Sequence, residues 1–273
     1  MEIKVLEKDD MNMRLLIQGV DVPFMNALRR LVISEVPCMA IDEIVIIENS
    51  SILQDEIISH RLGLIPLKTD LDSYNLPEDC PCKSEFGCNL CRVTFALDTE
   101  AKGGPRTIYS GDLVSENPSI IPVSDKIPIL KLAKEQRVKL EAYARLGKGK
   151  HHAKWQPVSM CTYKYYPKIE INKRCDACGK CIERCPKKVL IKAGNKIETH
   201  EMISCTLCQD CVEACPQTPP AIAVSSEENA FIFNLESTCA LPPERIMQEA
   251  VRILDKQLKE LESQIKVKKS EKD

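Results

Sequence analysis

Two copies of the pattern C-x₂-C-x₂-C-x₃-C-P stand 30 residues apart in this 273-residue chain. The first is Cys175, Cys178, Cys181, Cys185 and Pro186, and the second is Cys205, Cys208, Cys211, Cys215 and Pro216. Thiolates two residues apart on a tight loop reach separate irons of one cubane, and a Cys three residues further on points away from it. Eight buried or disulfide-bonded cysteines would not need one spacing twice. The segment around them is poor in large apolar residues. Val189, Leu190, Ile191, Ile197, Ile203, Leu207 and Val212 are its best candidates for a core, which places it near the lower limit of independent folding. Metal–thiolate bonds are the remaining source of folding free energy.

The spacing is that of two-cluster ferredoxins, in which the fourth Cys of each run ligates the other cluster. It implies Cys175, Cys178, Cys181 and Cys215 around one group, and Cys205, Cys208, Cys211 and Cys185 around the other. The cofactors are then two [4Fe–4S] clusters, or one of these with a [3Fe–4S] cluster. A different pattern, C-x-C-x₅-C-x₂-C, joins Cys80, Cys82, Cys88 and Cys91. Four thiolates so close in sequence suit a closed tetrahedral Zn²⁺ site that pins a loop. Solvated thiols or two disulfides are the plainer alternatives. Cys38, Cys161 and Cys239 are left over and read as small buried hydrophobes.

Fifteen cysteines would also fit a secreted disulfide scaffold. The metal spacings argue against that, and the opening MEIKVLEKDD has no apolar signal region. No apolar run is long enough to span a bilayer. The expected location is the cytoplasm, where thiols stay reduced. A net charge of −2 gives no global field toward nucleic acid or membrane. The most basic stretch, 126–154, carries nine Lys/Arg against two Glu, but Tyr143 is its one aromatic before Trp155. A base-stacking platform is therefore disfavoured, which leaves a solvated face or a patch for an acidic partner. His151 and His152 are adjacent and would face apart on a strand, making them poor co-ligands.

Ile3 to Val20 alternates as two short strands about Asp9-Asp10. Asp21 caps a helix with Pro23 in its first turn, and Phe24, Ala27, Leu28, Leu31 and Val32 form its apolar stripe. Residues 41–48 read as a strand and 56–62 as a short helix. Residues 70–92 read as a loop, 93–123 and 155–171 as strand-like pieces, and Ala230 to Leu235 as a strand. A long helix follows Leu241-Pro242-Pro243, with Ile246, Ala250, Ile253, Leu254, Leu258, Leu261 and Ile265 along one face; beyond Lys266 a mixed-charge tail is expected. That face packs either on the chain's own sheet or on a partner's matching helix.

Asn26-Ala27-Leu28-Arg29-Arg30 is followed by Glu35-Val36-Pro37, Ala40-Ile41-Asp42, Asn49-Ser50-Ser51, Asp55-Glu56 and His60-Arg61-Leu62-Gly63-Leu64-Ile65-Pro66-Leu67. Gly147 to Trp155 reads GKGKHHAKW, and Phe231 to Leu235 leads into the last helix. Over nearly the whole length these segments resemble the D-type subunits of archaeal DNA-directed RNA polymerase, a family related to the bacterial α subunit and the third-largest eukaryotic subunit. The resemblance implies an α+β fold. Residues 1–49 and 225–273 would form an α-subunit-like dimerisation domain. Residues 50–171 would be an inserted mixed β domain carrying the zinc-type loop 80–91, which the eukaryotic relatives share. Residues 172–224 would be a second, ferredoxin-like iron–sulfur insertion.

The family has no catalytic residues of its own. It forms a heterodimer with the small L-type subunit, and the N- and P-type subunits and the two large catalytic subunits dock on the pair, so DNA is met only indirectly. Arg29, Arg30, His60 and Arg61 are the implied interface residues. The residues agree in kind: the chain has no H-E-x-x-H, G-x-S-x-G, Walker or G-x-G-x-x-G pattern. The Pro-punctuated loop Leu64 to Leu67 is expected to expose apolar side chains for docking. Three functions compete: an assembly subunit of the nucleotidyltransferase complex, the same subunit with clusters that regulate assembly, and a two-cluster ferredoxin-type electron carrier with a docking module. The carrier lacks any flavin or nicotinamide site.

Overall fold

The computed structural model describes residues 1–270, with side chains through 265. The fold is mixed α+β. Two strands, β1 (Glu2–Lys8) and β2 (Asn12–Gln18), precede helix α1 (Val22–Ser34). Asp9 makes the turn between the strands by accepting the backbone N–H groups of Met11 and Asn12 at 2.7 and 2.6 Å. Asp21 caps α1 through the Phe24 N–H at 3.0 Å. The stripe of α1 is rotated from the expected one: Met25, Leu28, Leu31 and Val32 are buried, while Phe24 and Ala27 are only half-buried.

Strand β3 (Pro37–Asn49) and helix α2 (Asp55–Gly63) follow. Then come β4 (Arg92–Glu100), β5 (Arg106–Tyr109), β6 (Val114–Ser115), β7 (Pro128–Leu132), β8 (Arg137–Lys148) and β9 (Val158–Ile171). The cysteine repeat contributes short pieces: α3 (Lys180–Arg184), β10 (Leu190–Ala193), β11 (Lys196–Thr199) and α4 (Asp210–Glu213). Strand β12 (Ile222–Ser237) and helix α5 (Pro243–Ser270) close the order. The expected tail is thus helical through Ser270, and its last three positions, 271–273, lie outside the described residues.

The chain divides into two compact units. One comprises residues 1–7, 14–25 and 162–234, and the other residues 8–13, 26–161 and 235–273. In the first, β1, β2, β12 and β9 lie in that order in one sheet. Phe231 is fully buried there under the rings of Tyr163 and Tyr165, with centroids at 5.8 and 5.2 Å. The cysteine repeat leaves this sheet between β9 and β12, and its two ends are tied by Asn172 N–H to the Ala221 carbonyl at 2.7 Å. Its core contains Ala177, Val189, Leu190, Ile197 and Ile222 together with Cys181, Cys205 and Cys211. Ile191, expected in that core, is exposed, because alternation along β10 turns it away from Leu190.

In the second unit, β3, β8, β4 and β6 form an antiparallel sheet in that order, and β5 pairs with β7. Alternation along β8 decides the fate of the basic stretch. Val138, Leu140, Ala142, Ala144 and Leu146 point into the core, and Arg137, Lys139, Glu141, Tyr143 and Arg145 lie between them on the other face. The core gathers Phe95, Leu97, Ile58, Leu62 and Ile108. Ile65 and Leu67 also enter it and are buried, so of the loop's expected exposed apolar residues only Leu64 is one. Among the described residues no helix is long and apolar enough to cross a membrane.

Candidate metal centres and docking surface

The two cysteine runs have the same backbone. In each, the residue before the second Cys is left-handed, Ala177 at φ 55° and Leu207 at φ 61°, and so is the residue after it, Gly179 at φ 86° and Gln209 at φ 67°. Those second residues start α3 and α4. A left-handed conformation costs a non-glycine residue about 1–2 kcal/mol, so three such residues at matched positions give the two loops the same costly shape. Two small cavities result, one at each group of cysteines. Cys175, Cys178, Cys181 and Cys215 line the first, and Cys185, Cys205, Cys208 and Cys211 line the second. The fourth cysteine of each run therefore sits with the other run's first three.

The chemistry of these walls fits a polynuclear group. Each cavity offers four thiols with no other sulfur, and Cys181, Cys205 and Cys211 are buried while Cys178 and Cys208 are exposed. Burial, and then the neighbouring Cys185 sulfur, push the Cys211 thiol up to about 11. A cation at the site removes that penalty. Backbone N–H groups also point at sulfur, from Leu207 to Cys205 at 3.4 Å and from Ala221 to Cys215 at 3.3 Å. One further residue, silent in the sequence, holds the second loop: Lys164 of β9 donates its ammonium to the carbonyls of Ile203 and Cys205 at 2.6 and 2.8 Å.

Cys80, Cys82, Cys88 and Cys91 form a tighter cluster, with all four sulfurs within 4.8 Å of one another. Cys80 to Cys88 is 3.7 Å, and Cys91 lies 3.9 Å from both Cys82 and Cys88. Thiolates at about 2.3 Å from one tetrahedral ion stand about 3.8 Å apart, so this quartet can hold a single metal ion. The Cys88 N–H donates to Cys91 Sγ at 3.2 Å and the Leu90 N–H to Cys88 Sγ at 3.4 Å, which orients the sulfurs. The Ser84 backbone N–H, and then Cys80, draw the Cys82 thiol down to about 7, so it is the first to offer a thiolate. By contrast burial raises Cys38 to about 11 and Cys161 to about 12, as inert thiols should be.

The motifs of the second unit converge on β3. Its pairing with β8 slips between Ile41 and Glu43, so Asp42 is a bulge residue. The bulge aims the Asp42 carboxylate at both Arg145 and Lys154. Lys154 also lies over the Trp155 ring, 4.4 Å from its centroid. Nearby, Lys150 pairs with Glu35 at 3.1 Å and Lys148 with Glu78 at 2.7 Å. Arg137 pairs with Asp98 at 2.9 Å. Most of the basic stretch is thus neutralised by the chain's own acids, which removes the field a nucleic-acid surface needs. A cavity of about 150 Å³ is lined by Ile41, Asp42, His60, Leu64, His152 and Lys154, among others. His151 lies in a turn and His152 caps the short helical turn after it, neither on a strand, and His152 Nδ1 accepts the Lys154 N–H at 3.0 Å.

The implied interface residues differ in their surroundings. Arg29 is half-buried and donates to Asn26 Oδ1 at 3.1 Å, and Arg30 is exposed. Arg61 donates to the Ile129 carbonyl at 2.7 Å, tying α2 to β7, while His60 faces the cavity. Helix α5 changes character along its length. Ile246 and Ala250 are fully buried, yet Leu258, Leu261 and Ile265 on the same stripe are 57, 54 and 51% exposed. Sequence periodicity finds that stripe but not where its own cover stops.

Residues 14–258 match the model of the RNA polymerase Rpb3/Rpb11 dimerisation domain. The chain is 44% identical over 260 residues to the DNA-directed RNA polymerase subunit Rpo3 of Archaeoglobus fulgidus, covering 95% of this chain and 96% of that one. It is 43% identical over 257 residues to the subunit of that name from Methanothermobacter thermautotrophicus, with 93 and 95% covered. Against Pyrococcus furiosus Rpo3 the identity is 38% over 257 residues, with 93 and 92% covered.

Proposed function

From the premise that the chain belongs to the RNA polymerase Rpb3/Rpb11 dimerisation-domain family, we propose that it is a non-catalytic assembly subunit of a DNA-directed RNA polymerase. The observation that carries this reading is the bare half of the α5 stripe. Three large apolar side chains in a row, each more than half exposed, favour a helix of a small partner subunit over solvent. The partner is the L-type subunit, and the pair is the platform for the N- and P-type subunits and the two large catalytic subunits. The Arg30 face of α1 and the cavity edged by His60 and Leu64 are the further docking surface. The compartment is the cytoplasm, and contact with DNA is indirect.

On this reading the eight cysteines of the repeat hold two iron–sulfur clusters that give residues 172–224 the stability their small core lacks, and the Cys80 quartet holds a structural Zn²⁺. The clusters also govern assembly: their oxidative loss weakens incorporation of the large subunits more than pairing with the small one. Equal incorporation with and without clusters removes that regulatory role.

The pairing is tested by Leu258→Asp with Leu261→Asp. The expected result is a folded chain that no longer copurifies with the small subunit on co-expression. Undiminished pairing overturns the assignment of the stripe. The metals are tested by analysis of anaerobically purified protein, with about eight irons and one zinc expected per chain.

A further inference from the structure

The two cysteine cavities match in spacing and in backbone, and differ in the group that straps each loop. The carbonyl of Arg174, ahead of the first run, is held by the neutral Gln217 amide at 2.8 Å. The carbonyls of Ile203 and Cys205, in the second run, are held by the Lys164 ammonium. Lys164 is half-buried on β9, and Cys205 is itself a wall of the second cavity. The other cations nearby, Arg174 and Lys180 on the first loop and Lys187 on the second, are exposed, and water and salt screen them. Asp176, which lines the first cavity and accepts the Cys178 N–H at 3.2 Å, is exposed as well and is screened in the same way.

We propose that Lys164 makes the two cavities electrostatically unequal, so that the group held by Cys185, Cys205, Cys208 and Cys211 is reduced before the group held by Cys175, Cys178, Cys181 and Cys215. This rests on the reading that both cavities hold [4Fe–4S] clusters. Reduction adds one negative charge to a cluster, taking its core from 2+ to 1+ with one electron and no change in bonds or protons. A fixed, partly desolvated ammonium one peptide unit from a ligand favours the added charge, and the neutral Gln217 amide at the first loop does not. Lys164 is a positioning residue with a second effect, because the same two hydrogen bonds fix the loop that presents Cys205.

The experiment is a titration of the anaerobically purified full-length chain with dithionite as the one-electron donor, followed by electron paramagnetic resonance. Two reduction steps are expected. Lys164→Met should move the higher step down by about tenfold in its equilibrium, 59 mV for one electron, and leave the lower step in place. Lys164→Arg should restore it and Lys164→Gln, a donor without the charge, should not, whereas a purely structural strap would be rescued by both. Asp176→Asn, a change at an exposed and screened side chain, should leave both steps in place. Should Lys164→Met fail to hold iron in the second cavity, Lys164→Gln keeps a donor without the charge and carries the same test. Full iron content with one unsplit step, or with both steps unmoved by the lysine variants, overturns the inference. A chain that takes up no iron overturns instead the reading on which it rests.

Discussion

Gly147 lies against the indole of Trp155, so close that a Cβ on Gly147 would overlap the ring's carbons. The ring is held there by its Nε1–H, which donates to the Arg145 carbonyl at 3.2 Å, and by the Lys154 ammonium on its face. Gly147→Ala should therefore destabilise the protein by about 1–3 kcal/mol, the usual cost of overpacking. Trp155 is the chain's single tryptophan, so its emission should shift to the red as the ring is displaced. Gly103→Ala is the control, since a Cβ there meets nothing within 4 Å. Equal unfolding midpoints and emission in the two variants would refute the packing account.

Asp42 is the electrostatic centre of the same region. Its side chain is 13% exposed and shared between Arg145 and Lys154, the latter also 13% exposed. Removing the carboxylate leaves the largely buried Lys154 facing the partly exposed Arg145, so Asp42→Asn should cost about 2 kcal/mol, less than a fully buried pair would. Lys154→Met should cost less, because Arg145 still covers the acid. The double variant should be more stable than the sum of the single losses predicts. Urea unfolding of the four proteins gives the coupling, and strict additivity would show that the cluster is not a unit.

How much of the fold is legible in the residues depends on range. The turn at Asp9, the cap at Asp21, the helix at 55–63 and the long last helix all follow from local patterns, and the structure places them there. The stripe of α1 is displaced because Met25 stands on the buried side in place of Phe24; tertiary burial, not spacing, chooses among adjacent apolar residues. Ile65 and Leu67 read as exposed because prolines and glycine surround them, yet the chain turns them into the core. Lys164 gives no signal at all. Its partners, Ile203 and Cys205, are about forty residues away, and a lysine on an alternating strand looks like any solvated one. The basic stretch 126–154 misleads for a related reason: the acids that neutralise it, Glu35, Asp42, Glu78 and Asp98, lie outside it in sequence.

The Cys80 quartet lies in a loop with little core of its own: from residue 80 to 91 only Cys80 and Cys91 are buried. Its order should then depend on the metal. Chelation, or Cys88→Ser, should raise backbone hydrogen exchange in residues 76–91 and leave β3, β4 and β8 protected, because those strands carry their own hydrophobic core. Loss confined to the loop is the expected pattern. Unchanged exchange after complete metal removal would mean that the loop is held by its peptide hydrogen bonds alone.

That loop has a second tether, and it makes the loop sensitive to acid. Glu78, just ahead of Cys80, accepts a hydrogen bond from Lys148 Nζ at 2.7 Å. This bond, helped by the charges of Lys148 and Lys150, holds the Glu78 carboxyl below the usual glutamate range. A carboxyl whose folded pKa is lowered contributes its full stabilisation above its unfolded pKa, and the contribution is lost as the pH falls through the lowered folded value. The tether should be intact at neutral pH and released on acidification below the ordinary range. Glu78→Gln removes the charge at every pH. Its difference from the parent protein should therefore be largest near neutrality and vanish in acid. Exchange rates in residues 76–82 across that range measure it directly, and a difference that grows as the pH falls has the wrong sign for this tether.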